Sequence, residues 1–165
     1  VLLPFNYSIL IKLEKLFDIT LKNRKVLYSI LKETPKELLL TIPDGFRNNI
    51  WWNIAHVVVT QQRLVYKMSN LPMRVSDELG NKFMKGTVPD GSATEDEMEE
   101  SEGFLFATAE WTQQDYENGI FKTYKEYTTT PGVTLTNVED SLAFNVFHEG
   151  LHLGAILSLK KALMK

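Results

Sequence analysis

A stretch from Asn48 to Tyr66 contains neither glycine nor proline and constrains the fold more than any other part of the chain. Its three consecutive valines, Val57 to Val59, suggest a β-strand, because β-branched residues favour strands. The stretch is much longer than an ordinary strand, and an apolar run of this length is more often helical. We therefore predict a helix here, with Asn48 or Asn49 as its N-cap.

Three other long segments carry the same helical signal. Apolar residues recur at spacings of three and four over residues 5–32, which predicts the first helix. The third predicted helix begins at Thr94 and the fourth at Thr136, and each threonine has a glutamate three residues later, as in a capping box. The third helix should end near Tyr116, before Asn118-Gly119, and the fourth continues to the C-terminal lysines.

Four long helices and no convincing pair of strands predict an all-α fold, a four-helix bundle. The connection between the second and third helices, residues 71–93, includes a short predicted helix that starts at Ser76. This connection is long enough to be a crossover rather than a tight hairpin. Residues 121–136 are expected to be irregular or extended, with a turn at Pro131-Gly132.

Composition limits the class of protein. At 165 residues, a single domain covering residues 1–165 is the expectation. The absence of cysteine excludes disulfides, thiolate ligands and a cysteine nucleophile, and fits a reducing, cytoplasmic location. The net charge of −3 offers no basic surface for a nucleic acid, so we expect no nucleic-acid partner. No uncharged apolar run is long enough to span a bilayer, so we expect no membrane association.

The chain has three histidines, and all of them lie in predicted helices. His148 and His152 are four residues apart, which places them on one helix face, where two imidazoles can chelate one metal ion. His56 lies in the second helix. Three neutral nitrogens from two helices would leave coordination positions open, as catalytic metal sites do. The alternative is that these are packed, hydrogen-bonded core histidines.

The segment His148-Glu149-Gly150-Leu151-His152 also fits the H-E-x-x-H pattern of metalloproteases, in which the glutamate is a general base. No His, Asp or Glu follows His152, so a third ligand would have to be His56. This argues against a protease. Glu149 remains a candidate catalytic residue that could contact a bound water; the alternative is a solvent-facing helical residue.

A carboxylate-bridged pair of metal ions is a further alternative, and it would need a second Glu-x-x-His motif. Asn53 stands where that glutamate would precede His56, so a mononuclear site is favoured. Asn53 shares a helix face with His56 and is a candidate for hydrogen bonding to an imidazole and orienting it. A capping or packing role is the alternative.

Several segments of the chain are similar to the DinB-like superfamily, and they follow its order along nearly the whole sequence. They are Asn48–His56, the following Thr60-Gln61-Gln62, Ser76–Leu79 through Gly86-Thr87, and His148–Gly154. The resemblance implies a four-helix bundle with a long crossover and a divalent metal ion, often nickel or zinc, on the three histidines. It also implies a homodimer. The superfamily includes thiol-dependent S-transferases and an isomerase that use bacillithiol or mycothiol.

We therefore expect a metal-dependent enzyme with a mononuclear site at His56, His148 and His152. Its leading reaction is the transfer of a low-molecular-weight thiol to an unidentified small molecule. Hydrolysis by metal-bound water is the second possibility, and a non-catalytic bundle that binds a small molecule or a partner is the third. Four polar residues are further candidates to line a pocket, while Trp51 and Trp52 are expected in the core or an interface. The four are Gln61, Gln62, Tyr66 and Asn145.

Overall fold

The structure is a computed structural model that describes residues 7–164, with side chains described from Leu13 onward. Its helices are α1 (Tyr7–Glu33), α2 (Lys36–Leu40), α3 (Ile50–Val65), α4 (Asp77–Lys82), α5 (Glu95–Glu117) and α6 (Val138–Leu163). A single 3-10 turn, Lys67–Ser69, follows α3, and two strands, β1 (Tyr127–Thr128) and β2 (Thr134–Leu135), pair antiparallel. The predicted all-α class is confirmed. The first two residues of the predicted first helix, 5 and 6, lie outside the described part.

The predicted starts of two long helices are confirmed by their caps. Asn49 caps α3, because its Oδ1 accepts a hydrogen bond from the backbone N–H of Trp52 at 2.8 Å. Thr94 and Glu97 form the expected capping box at the start of α5, with each side chain accepting the other residue's backbone N–H. Both caps satisfy N–H groups that have no partner within the helix.

The predicted start of α6 at Thr136 is wrong by one residue. Asn137 is the N-cap, and its Oδ1 accepts the N–H of Asp140 at 2.8 Å. Thr136 lies outside the helix and donates both its N–H and its hydroxyl to Asp140. Asparagine is at least as good an N-cap as threonine, so the adjacent residue takes the role. Glu139 accepts a hydrogen bond from Tyr116 instead of closing a capping box.

Residues 121–136, which we predicted to be irregular or extended, contain a short hairpin whose pairing was not predicted. Tyr127 pairs with Leu135 and Thr128 with Thr134, and Gly132 adopts a φ of 87° in the connecting turn. Strands of two residues are too short to show a period-two pattern, so the sequence carries no signal for them. The turn at Pro131-Gly132 is where we predicted it.

Helix α3 lies at the centre of the molecule. Nearly all of its residues are buried, and it packs against α6 and α5, while α1 also packs against α5 and α6. Ile54 and Val58 of α3 join Leu27 of α1 and Ile156 of α6 in the main core. A helix buried on every side has no need of a polar face, which explains why the three valines are compatible with a helix.

Helix α6 is a long helix rich in apolar residues. By length and composition it could cross a membrane, with a mean hydropathy of 1.2 over a window of which 28% is buried. Ile156 and Leu159 of this helix are fully buried in the core. Phe147, Leu151 and Leu157 are half-exposed instead. The apolar character of α6 is therefore shared between a core face and an exposed face.

A buried ion pair joins the first and last long helices. Arg24 is 0% and Glu149 1% exposed, and the Arg24 Nη2 to Glu149 Oε1 distance is 2.7 Å. The Arg24 Nε contacts both carboxylate oxygens, at 3.1 and 3.0 Å. Asn145 and Asn23 each donate a side-chain N–H to the same carboxylate, at 2.8 and 2.9 Å. The charge of Glu149 is thus compensated by one guanidinium and two side-chain amides.

The Arg24 guanidinium also reaches the backbone of the other two long helices. Its Nη1 donates to the Leu105 carbonyl of α5 at 3.4 Å, and its Nη2 to the Val57 carbonyl of α3 at 3.5 Å. One side chain therefore contacts α3, α5 and α6 from α1. The solvent-facing alternative that the sequence left for Glu149 is wrong.

We predict that Glu149→Ala lowers the free energy of unfolding by about 3–5 kcal/mol, because it leaves the Arg24 charge buried without a partner. Denaturant unfolding followed by far-UV circular dichroism measures the change. Glu110→Ala removes an exposed glutamate from α5 and should change the stability by no more than about 0.5 kcal/mol. Equal stabilities for the two variants would show that the ion pair has no structural role.

Candidate metal centre

The structure brings the three histidines together between α3 and α6. One potential ligand atom from each of His56, His148 and His152 lies within 4.8 Å of the other two. The ring centroids are 5.3 Å apart for His56 and His148, 4.6 Å for His56 and His152, and 4.4 Å for His148 and His152. The group could hold one metal ion, with one ligand from α3 and two from successive turns of α6.

Two of the three rings are oriented by a hydrogen bond at Nδ1. The His56 Nδ1 lies 2.6 Å from the backbone oxygen of Phe83, which follows α4 in the connection between α3 and α5. The His152 Nδ1 lies 2.7 Å from the Asn53 Oδ1. An Nδ1–H that donates to an oxygen leaves Nε2 with a free lone pair, which is the tautomer that a metal ligand needs.

Asn53 is itself held in a single orientation. Its Nδ2 donates to the Asn49 carbonyl at 2.8 Å and to the Asn48 Oδ1 at 2.9 Å. Because both amide hydrogens are used, Oδ1 is left to accept from His152. The sequence predicted that Asn53 could orient an imidazole, because it shares a helix face with His56. The imidazole that it contacts is that of His152, on the other helix.

Trp52 and Thr60 complete the surroundings of His56. The Trp52 ring stacks on the His56 ring, with centroids 4.5 Å apart and planes 12° from parallel, and its Nε1 donates to Thr87 at 3.0 Å. The Thr60 hydroxyl lies 3.2 Å from the His56 Nε2. We expected Trp52 in the core or an interface, and it also lines the site. Trp52 precedes His56 by four residues, a spacing that places both on one helix face and could have predicted this contact.

The environment keeps the imidazoles neutral. Burial lowers the pKa of His148 to about 3, and the charges of His152, His56 and Arg24 act in the same direction. Burial lowers the pKa of His152 to about 4, helped by the charge of His56. The pKa of His56 is also lowered by burial, against the hydrogen bond to Phe83. Neutral imidazole is the form that binds metal ions.

The donor set fits a divalent metal ion. The Nδ1 of His148 is buried and has no hydrogen-bond partner among the described atoms, which is costly for a polar atom. His56 and His152 each have Nδ1 committed to an oxygen, so Nε2 is the nitrogen that can face an ion, and that of His56 lies within hydrogen-bond distance of the Thr60 hydroxyl. A set of imidazole nitrogens suits zinc and nickel better than magnesium or calcium, which prefer oxygen ligands.

A cavity of about 570 Å³ lies beside the three histidines. It is bounded by α3, α6, the hairpin and the segment at Lys85 and Gly86. Its lining residues are Asn48, Trp52, His56, Thr60, Arg63, Leu64, Met68, Lys85, Gly86, Tyr127, Thr129, Thr130, Pro131, Phe144, Phe147, His148, Leu151 and His152. The volume is in the usual range of small-molecule sites.

Glu149, the candidate catalytic residue, does not line this cavity. Its carboxylate is bound by Arg24, Asn145 and Asn23 on the side of α6 that faces α1. The structure therefore gives Glu149 a role in holding α6 in place. Arg24 was not among the predicted site residues, although an arginine at spacings of three and seven before the buried Leu27 and Leu31 was a signal for a buried charge.

The four polar residues considered for the pocket are directed elsewhere. Gln62 accepts the backbone N–H of Arg74 at 2.8 Å. Tyr66 donates to Asp115 at 2.6 Å, and burial raises the pKa of Tyr66 to about 12. Asn145 binds Glu149, and Gln61 is buried. None of the four lines the cavity beside the three histidines.

We predict that the metal-free protein loses stability as the pH falls from 6.5 towards about 4. The folded-state pKa values of His148 and His152 lie near 3 and 4, below the usual 6.5, so the unfolded chain takes up protons that the folded chain excludes. Each histidine then lowers the free energy of unfolding by up to about 1.4 kcal/mol for each unit by which the pH falls in this window.

Urea unfolding across this pH window, with chelator present, measures the effect. The double variant His148→Gln, His152→Gln removes both titrating groups and serves as the control for the carboxylates elsewhere in the chain. Its stability should depend less steeply on pH than that of the wild type. Identical pH profiles would show that these two imidazoles are not held neutral by the fold.

We also predict that Asn53→Ala weakens metal binding about 10–100-fold, because His152 loses the acceptor that fixes its ring and tautomer. Isothermal titration with zinc or nickel measures the affinity. Asn81→Ala changes an exposed asparagine on α4 and should leave the affinity unchanged. Equal affinities for both variants would mean that the Asn53 contact does not orient a ligand.

The comparison with known proteins agrees with this geometry. The family model of the DinB superfamily matches residues 20–156, which include α3, α5, most of α6 and all three histidines. No curated protein matches the chain. Since the match covers well over half of the sequence and the resemblance to this superfamily rests on the same segments, the chain belongs to the DinB superfamily.

Proposed function

We propose that the protein is a metal-dependent enzyme with one divalent metal ion, nickel or zinc, held by His56, His148 and His152. The observation that carries this proposal is the set of three neutral imidazoles at the wall of a cavity of about 570 Å³. A divalent ion bound there would act as a Lewis acid and lower the pKa of a thiol or a water in an open position.

The residues around the histidines prepare the site for such an ion. Phe83 and Asn53 hold two rings in fixed orientations, so little rearrangement is needed on binding. Trp52 covers one face of His56. Leu64 and Phe144 contribute apolar surface to the cavity wall. A preformed site loses little binding free energy to rearrangement.

The reaction that we favour is transfer of a low-molecular-weight thiol to an electrophile. A sulfur–carbon bond forms, the bond to the leaving group breaks, and the proton of the thiol is released. A thiol with a lowered pKa is ionised before it attacks and needs no general base. Hydrolysis by a metal-bound water is the alternative, because the same ion would lower the pKa of that water. No carboxylate that could assist the water as a general base is among the residues that line the cavity.

The finer predictions on architecture and assembly belong to this proposal. The contacts of α1 with α5 and α6, and of α3 with α5 and α6, support a four-helix bundle in which residues 66–94 cross over. The exposed apolar side chains of α6, Phe147, Leu151 and Leu157, are a surface on which the expected homodimer could form. The cytoplasmic location and the absence of membrane and nucleic-acid partners remain predictions.

We predict that His152→Ala abolishes binding of zinc and nickel and any thiol transfer, and leaves the far-UV helical signal unchanged. Two nitrogens cannot replace a three-ligand set, while the substitution leaves the core residues of α6 in place. Isothermal titration measures the metal, and a screen of cysteine, bacillithiol and mycothiol against chlorodinitrobenzene measures the transfer.

Ser158→Ala is the matched control, since Ser158 is an exposed polar residue on the same helix and outside the cavity. It should bind metal as the wild type does. If His152→Ala retained full thiol-transfer turnover, the metal-dependent mechanism would be wrong. If the wild type bound neither metal, a non-catalytic role for the cavity would replace the proposal.

A further inference from the structure

We infer that the cavity selects a ligand with an anionic group, and that Arg63 and Lys85 provide the positive charge that binds it. This inference rests on the proposed function in one respect only, namely that the other end of the ligand reaches the three histidines. It specifies the chemical class of the small molecule, which the family match leaves open.

The charge of the cavity wall is opposite to that of the whole chain. The chain has 21 acidic and 18 basic residues and a net charge of −3. The residues that line the cavity include Arg63 and Lys85 and no aspartate or glutamate. Two positive charges in a concave, partly apolar site raise the local concentration of anions. A neutral or cationic ligand would gain nothing from them.

Arg63 is placed on the metal-site face of α3. It follows His56 by seven residues and Thr60 by three, and residues at these spacings lie on one face of a helix. Arg24 and Arg74 form salt bridges with Glu149 and Asp115, but Arg63 forms none with a described residue. Its guanidinium can therefore offer its paired N–H donors to a carboxylate, sulfonate or phosphate.

Lys85 approaches from the connection between α3 and α5. It follows Phe83, the acceptor of the His56 hydrogen bond, by two residues. Its Nζ donates to the Thr130 hydroxyl of the hairpin at 2.6 Å. A hydroxyl positions the ammonium group without neutralising its charge. The buried Thr129 closes the turn of the hairpin through its 2.9 Å bond to the Val133 carbonyl, so Lys85 binds to an ordered turn.

The helix sets the length of the ligand. Seven residues at about 1.5 Å each place Arg63 about 10 Å along α3 from His56. A ligand that carries its anionic group at the far end of an extended chain can therefore contact both the flexible Arg63 side chain and the histidines. Leu64 and Phe144 also line the cavity and provide apolar surface for such a chain. Small inorganic anions are too short to bridge the two positions.

The test uses matched thiols on cobalt-loaded protein, in which sulfur ligation appears as a charge-transfer band in the near ultraviolet. We expect ω-mercaptooctanoate to bind at least about tenfold more tightly than neutral ω-mercaptooctanol, the difference that one charge-assisted interaction gives. Mercaptoacetate, which is too short to reach Arg63, should gain no such advantage. Binding of octanoate to the metal-free protein, by calorimetry, measures the anion site without the metal.

Variants identify the cations. Arg63→Gln should remove most of the preference for the acid, Lys85→Gln part of it, and Arg63→Lys should retain much of it because the charge remains. Lys25→Gln removes an exposed lysine outside the cavity and has the same effect on net charge, so it should behave as the wild type. Melting temperatures establish that each variant is folded.

The outcomes separate the two proposals. Equal binding of acid and alcohol by the wild type, or a full preference retained in both glutamine variants, would overturn the anion site and leave the thiol chemistry intact. Absence of the sulfur band with every thiol, together with octanoate binding that Arg63→Gln weakens, would support the anion site and reject the proposed function. Absence of octanoate binding in the wild type would reject the inference.

Discussion

The buried ion pair between Arg24 and Glu149 fixes the rotation of α6, and the geometry of the metal centre depends on it. Successive residues of a helix are about 100° apart, so His148 and His152, one before and three after Glu149, both lie on the same side of it. With Glu149 bound to α1, both imidazoles are turned towards α3 and His56. The Glu149 carboxylate does not line the cavity, but its contact with α1 determines that His148 and His152 do.

The two sides of α6 bury polar side chains in different protonation states, charged on the side of α1 and neutral on the side of α3. On the side of α1, full charges are buried and compensated by each other and by Asn145 and Asn23. On the side of α3, burial keeps the pKa values of His148 and His152 low, so these groups stay neutral and keep their lone pairs. Neutral imidazoles can accept the positive charge of a metal ion.

The parts of the fold and site that the sequence predicted correctly depend on short spacings. The caps at Asn49 and Thr94 lie within one turn of the groups that they bind, and the His148–His152 pair is one turn apart on one helix. The start of α6 was misplaced by one residue, because Thr136 and Asn137 are both good caps and only the folded chain distinguishes them. The hairpin was missed because strands of two residues have no period.

The sequence by itself determined the helical class, the superfamily and the identity of the three histidines, because helical periodicity and motif spacing are local properties of the chain. Only the tertiary structure decided where Glu149 points, which imidazole Asn53 contacts and that Trp52 borders the cavity. Each of these depends on the packing of residues that are far apart in sequence. Arg24 and Glu149 are 125 positions apart, and the sequence around either residue does not indicate which residue it will pair with.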